Sequence, residues 1–187
     1  MTFHLRQPIT PTPAEDFAEA MSALASGVVL VTCWVGDRPW GMTVTAFASV
    51  SADPPTVLVS LSAGARSARA ITATRSFGVS ILAADQLAVA RHGSTPGATK
   101  FLEHYTDARA GYSESPVIAR ALAHLDCEVT RTVQVADHTI FFGQVRAVPE
   151  LHLGTPLVYH RRGYRTLAEP VRPPHRPTER SLRCLSS

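Results

Sequence analysis

A chain of 187 residues that is 45% hydrophobic and 18% charged holds one domain with its own core, and two domains would be a tight fit. That composition excludes an intrinsically disordered chain, and no apolar run approaches the roughly 18 residues that span a bilayer. A net charge of +3 argues against a dedicated nucleic-acid binder, and Met1 to Pro8 lacks the charged-then-apolar layout of a secretory signal. A cytoplasmic protein without membrane contact is therefore expected.

Residues 1–13 read as an N-terminal arm. Thr12-Pro13-Ala14-Glu15 fits a helix start, with a capping threonine, proline in the first turn and glutamate three residues after the cap. Phe17, Met21 and Leu24 follow at helical spacing, and the helix is expected to run to about Ser26, before Gly27. Val28 to Val35 is a β-branched run and reads as a buried strand. Gly36 to Pro39 turns the chain, and Trp40 to Ser51 returns as one long antiparallel strand. Thr56 to Leu61 is a third strand, beyond Asp53-Pro54-Pro55.

Ser62 to Arg75 reads as a helix and Phe77 to Leu82 as a strand. Asp85 to His92 is a second short helix, capped near Ala84 or Asp85. Gly93 to Ser115 is a long loop, a length more often functional than idle. Leu122 to Val148 forms a hairpin turning at Gln134 to His138. On its first arm Leu125, Cys127 and Val129 alternate with Asp126, Glu128 and Thr130, which are expected to face outward. Pro156 to His160 and Tyr164 to Leu167 close the domain, which is taken as residues 14–168. Residues 169–187 read as a flexible, solvated Arg/Pro-rich tail. Many short strands, few helices and no strict βαβ order give a mainly β fold, an antiparallel barrel with short peripheral helices. No G-x-G-x-x-G supports a Rossmann alternative.

Cys33, Cys127 and Cys184 are odd in number and far apart, without C-x-x-C spacing, so neither a redox pair nor a metal site is expected. Five segments could carry chemistry. Trp40 to Leu61 holds Thr43, Thr45, Ser49 and Ser51 where a structural strand favours bulk; small hydroxyl residues admit a flat ligand and bond its polar edge. Ser60-Leu61-Ser62 with Arg66-Ser67 is either an anion site at a helix start or a capping serine. Lys100, the only lysine, stands with Phe101 in the long loop, as a ligand contact or a loop anchor. Ala136-Asp137-His138-Thr139 at the hairpin turn places a histidine that either donates to a ligand or orients its own turn. Pro156 to Arg165 is an edge hairpin rich in arginine and tyrosine.

Taken in order over roughly Asp16 to Leu167, these pieces resemble the flavin reductase-like family. The resemblance implies an FMN-binding split barrel and a homodimer whose sites border the subunit interface. It implies reduction of FMN or FAD by NADH or NADPH, with the reduced flavin supplied to a separate monooxygenase. By the same resemblance Thr43, Val44, Thr45 and Ala46 flank the flavin, while Ser60, Leu61, Ser62 and Ser67 cradle its phosphate and ribityl chain. Lys100 lies near phosphate and Phe101 near the ligand. His138 is the catalytic candidate, contacting nicotinamide, and Tyr164 closes the pocket. Two departures stand out: Thr45-Ala46 replaces the family's frequent Asn-Ser, and Ala136 replaces a glycine, a mild change unless that residue needs a positive φ. The rival readings are a tight-binding flavoprotein oxidase, a non-catalytic flavin- or haem-binding protein offering His92, His104 or His124, and nucleic-acid binding through the arginine tail. Those three histidines otherwise read as surface or loop residues.

Overall fold

The structure, a computed structural model, describes residues 12–107 and 113–168. The expected tail lies outside the described residues, as does nearly all of the expected N-terminal arm. The apolar run after Gly27 is continuous because both of its faces are covered. It forms β2 (Val29–Val35), whose Val29, Val31 and Cys33 enter one core, while Leu30 and the preceding Val28 enter a second. A strand buried on both sides loses the alternation of a half-exposed one.

Around β2 the chain builds a seven-stranded antiparallel sheet. Its other members are β3 (Arg38–Val44), β4 (Phe47–Ala52), β5 (Pro55–Ser62), β6 (Ser76–Ile81), β7 (Ala123–Val135) and β8 (His138–Leu151). The spatial order is β3-β2-β6-β7-β8-β5-β4. Its edges, β3 and β4, are consecutive in the chain and separated only by Thr45 and Ala46. The sheet therefore curls into a barrel that is split where β3 becomes β4. The expected single strand from Trp40 to Ser51 is thus broken in two: β3 pairs with β2, and β4 turns away to pair with β5.

A second sheet of β1 (Ser26–Gly27), β9 (Leu157–His160) and β10 (Gly163–Thr166) covers one side of the barrel. Val28 N–H donates to the Leu157 carbonyl, and Leu157 N–H to that of Leu82, at 3.0 and 2.9 Å. The helix α3 (Leu87–Ser94) fills this side with Val89 and Ala90, beside Leu102, Ile118 and Leu157. The helix α2 (Arg66–Thr74) plugs the barrel with Ala68 and Ile71. The first helix, α1 (Ala14–Ser22), ends four residues earlier than expected because Ser26-Gly27 is drawn into pairing with β9. Thr12 does not cap it; Pro13 occupies that position without a side-chain bond. The stripe of Phe17, Met21 and Leu24 faces solvent, at 61%, 49% and 60% exposure. The cap of α3 is Gln86, whose Oε1 accepts the Ala83 N–H at 2.9 Å; neither Ala84 nor Asp85 holds that position.

The expectation for Asp126 is overturned. The β7–β8 ladder is irregular between His124 and Cys127, which turns Asp126 inward, where it is buried. Its carboxylate accepts from the Ser113 hydroxyl at 2.8 Å, the Ser115 N–H at 3.1 Å and the Ser115 hydroxyl. Burial pushes its pKa upward, but the hydrogen bonds of His124, Ser115 and Ser113 outweigh that and hold it at about 2. His124 is fully buried between the Ser80 and Ser115 hydroxyls, at 2.8 and 2.9 Å, so it is neither a surface nor a loop histidine. The network pins the returning end of the long loop to β6 and β7.

Candidate functional site: a cleft at the barrel split

The break in the sheet opens a cleft of about 780 Å³. Thr45 and Ala46 belong to neither ladder, so their N–H groups take no part in sheet hydrogen bonding. The Ala46 carbonyl is tied back to the Ser60 N–H at 3.0 Å, which fixes the break beside β5. On β5, Ser60 and Ser62 line the cleft while Leu61 between them is buried in the barrel core, the period-two alternation of a strand. Ser62 lies opposite His138 in the β5–β8 register, which brings the histidine of the hairpin turn to the same rim. There His138 Nδ1 lies 2.8 Å from Asp137 Oδ1. The hydrogen bond from His138 holds the Asp137 carboxyl below its ordinary value.

The floor is set by α3. Thr43 donates its hydroxyl to the Ala90 carbonyl at 2.7 Å, and Tyr164 donates to Ser94 Oγ at 3.2 Å. Gly93 permits this close seating: a Cβ there would come 2.9 Å from the Thr43 backbone nitrogen. The opposite flank is the β9–β10 hairpin, which contributes Tyr159, Tyr164, Arg162 and Arg165, with Arg91 beside them on α3. Among the described residues no Asp or Glu lines the cleft.

Of the residues singled out from sequence, the cleft brings together Thr43, Val44, Thr45, Ala46, Ser60, Ser62, His138 and Tyr164. Leu61, Ser67, Lys100 and Phe101 lie elsewhere. Ser67 is buried on the inner face of α2, where it accepts from Trp40 Nε1 at 3.2 Å. The Lys100 carbonyl accepts the Gly41 N–H at 3.1 Å, and burial lowers its ammonium pKa. Phe101 bridges to Trp40, packs against it edge to face at 5.1 Å and carries Arg38 over its ring at 3.5 Å. Ser51 bonds within the Asp53 turn, and Ser49 is exposed on β4; neither lines the cleft. Arg91, Ser94, Leu87 and Met42 line it without having been singled out. For Arg91 and Ser94 the available signal was helical spacing on the face of α3 that carries Leu87. His92 Nε2 donates to the Phe101 carbonyl at 2.8 Å, and His104 is exposed. Among the described residues no group of three His, Cys, Asp or Glu is placed to hold a metal, and no helix is long and apolar enough to cross a membrane.

The donor set fits a flavin: main-chain N–H groups outside the ladders, two serine hydroxyls, small residues at the break, and guanidinium groups on the flank. Comparison with known proteins agrees. The sequence model of the Flavin reductase like domain matches residues 21–168. An NADH-dependent flavin reductase of Rhodococcus sp is 38% identical over 156 residues, covering 80% of this chain and 84% of that protein. The reductase component of a 4-nitrophenol 4-monooxygenase/4-nitrocatechol 2-monooxygenase from Rhodococcus opacus is 34% identical over 153 residues, covering 82% of this chain and 80% of that protein. Among solved structures, the NADH:FAD oxidoreductase of Streptomyces globisporus C-1027, in complex with NAD and FAD fragments, superposes with a TM-score of 0.76 at 31% identity. It covers 87% of this chain and 98% of its own. Mainly β architecture, a barrel split beside the cleft and a match over most of the length converge on one conclusion: the chain belongs to the flavin reductase-like family.

Proposed function

We propose that the cleft binds FMN or FAD together with a nicotinamide nucleotide, and that the protein releases reduced flavin to a separate monooxygenase. The activity class is that of the family, NAD(P)H-dependent flavin reduction. The observation that carries the reading is the break at Thr45-Ala46, set in one cleft with Ser60, Ser62 and His138. Flavin and nicotinamide, when bound, supply the hydride chemistry between them.

The chain's own part is positioning and electrostatics. The Thr45 and Ala46 N–H groups stabilise negative charge on the reduced ring system without a dedicated acid. Ser60 and Ser62 hold the polar chain below the ring. His138, with Nδ1 committed to Asp137, presents Nε2 as its remaining ring nitrogen and orients the nicotinamide carboxamide. Tyr164, locked to α3 through Ser94, closes the far side. Both residues of the break are exposed, so flavin exchanges from the open side and behaves as a substrate.

The functional unit is a homodimer. No residue of α1 is buried, and Phe17 and Met21 on it, with Leu24 just beyond its end, form the surface a second copy would cover. Cytoplasmic residence fits Cys33 and Cys127, both free thiols among the described residues.

Ala46→Trp tests the site, since it fills the cleft from an exposed position. Flavin binding, read by fluorescence titration, is expected to weaken about tenfold or more while the melting temperature holds. Unchanged flavin affinity would contradict the assignment.

A further inference from the structure

We infer that Arg91, Arg162 and Arg165 form a second anion-holding flank of the cleft, which takes the pyrophosphate of a dinucleotide's adenylate half. This rests on the flavin-and-nicotinamide reading above and goes beyond it, because it separates ligands that share a flavin ring. Three guanidinium groups line one cleft that, among the described residues, no carboxylate lines. Among the described residues their carboxylate partner is Glu19, 3.3 Å from Arg162 in an exposed pair. The Arg165 guanidinium donates to the Tyr164 carbonyl at 2.8 Å, a neutral partner. Such a surplus of positive charge repels itself unless an anion joins it, and the planar guanidinium suits phosphate oxygens two at a time.

The backbone gives a second, independent argument. Arg161 and Arg162 form the turn between β9 and β10, and both have positive φ, 46° and 58°. A two-residue hairpin turn of that kind favours Asn-Gly, and side chains there carry strain. Strain held at the mouth of a cleft is where a charged side chain has use for its position. Gly163 lies beside that guanidinium: a Cβ on it would come 2.6 Å from Arg165 Nη1, so the absence of a side chain leaves Arg165 room along the turn. The hydroxyl flank of Ser60 and Ser62 comes from β5, whereas this flank comes from α3 and the second sheet. One cleft thus offers anion contacts on two sides. FMN carries one phosphate, while FAD and NADH each carry a pyrophosphate and an adenylate.

The test is calorimetric titration of the full-length protein with FMN, FAD and ADP-ribose, in wild type, Arg162→Gln and Arg165→Gln. The dissociation constant for FAD, for ADP-ribose or for both is expected to rise about fivefold or more, with FMN within about twofold of wild type. A loss confined to FAD assigns the flank to the flavin's adenylate, and one confined to ADP-ribose assigns it to the nicotinamide nucleotide. All three ligands unchanged, or FMN weakened as much as FAD, would overturn the proposal. Arg162→Gly guards against misfolding: it removes the charge and relieves the positive φ, so it should melt no lower than wild type yet show the same loss of binding. A wild-type protein that binds neither flavin would overturn the underlying functional reading instead.

Discussion

Ala136 holds a φ of +49° at the head of the β7–β8 turn, where a Cβ is penalised and glycine is not. The replacement of glycine there is therefore strained and not mild, which no one-dimensional reading could tell. Ala136→Gly is expected to stabilise the protein by about 0.5–1 kcal/mol, seen as a higher urea midpoint; a lower midpoint would contradict the strain. Asp126 offers a pH-dependent prediction. Its folded carboxyl titrates at about 2 against an ordinary 3.8. It thus contributes stability that is full above the ordinary value and lost as pH falls through about 2. Urea midpoints of wild type should drop over that acid range more steeply than those of Asp126→Asn. At neutral pH the variant should be less stable by about 2–4 kcal/mol, because it removes the charge and turns one of the two oxygens that accept from Ser113 and Ser115 into an NH2 donor. The sequence pointed to Ser60, Leu61 and Ser62 as a block, yet strand geometry sends the serines to the cleft and the leucine to the core. Order along the chain marks stretches; only the backbone decides faces.

At the scale of elements, the cleft depends on how α3 seats against β3. Gly93 makes that contact possible, with Leu30 and Thr43 where a side chain would go. Gly93→Ala is expected to cost about 1–3 kcal/mol in denaturant unfolding and to weaken flavin binding at the same time, since α3 must move away from Thr43. Loss of stability with unchanged flavin affinity would show that the floor and the site are independent. The strands were legible because β-branched runs and turn residues bound them. The break at Thr45-Ala46 was not, since Trp40 to Ser51 carries no Gly, Pro or Asn at that point. It exists because β2 and β5 compete for consecutive residues, a tertiary cause. The long loop was legible as a loop, but its anchors were hidden: a buried aspartate in an alternating strand reads as an outward one.

For the whole molecule, the exposed apolar stripe of Phe17 and Met21 on α1 and Leu24 after it predicts a homodimer. Sedimentation should give a dimer for wild type and a shift to monomer for the double variant Phe17→Glu, Leu24→Glu; a monomeric wild type would contradict the assembly. The central claim is that this barrel split is a site for exchanging flavin. It is tested most directly by NADH oxidation, followed through nicotinamide absorbance while FMN or FAD is added stepwise. The predicted result is negligible turnover without flavin and a hyperbolic rise with it. No turnover with either flavin and either nicotinamide nucleotide, or a full rate before any flavin is added, would contradict it.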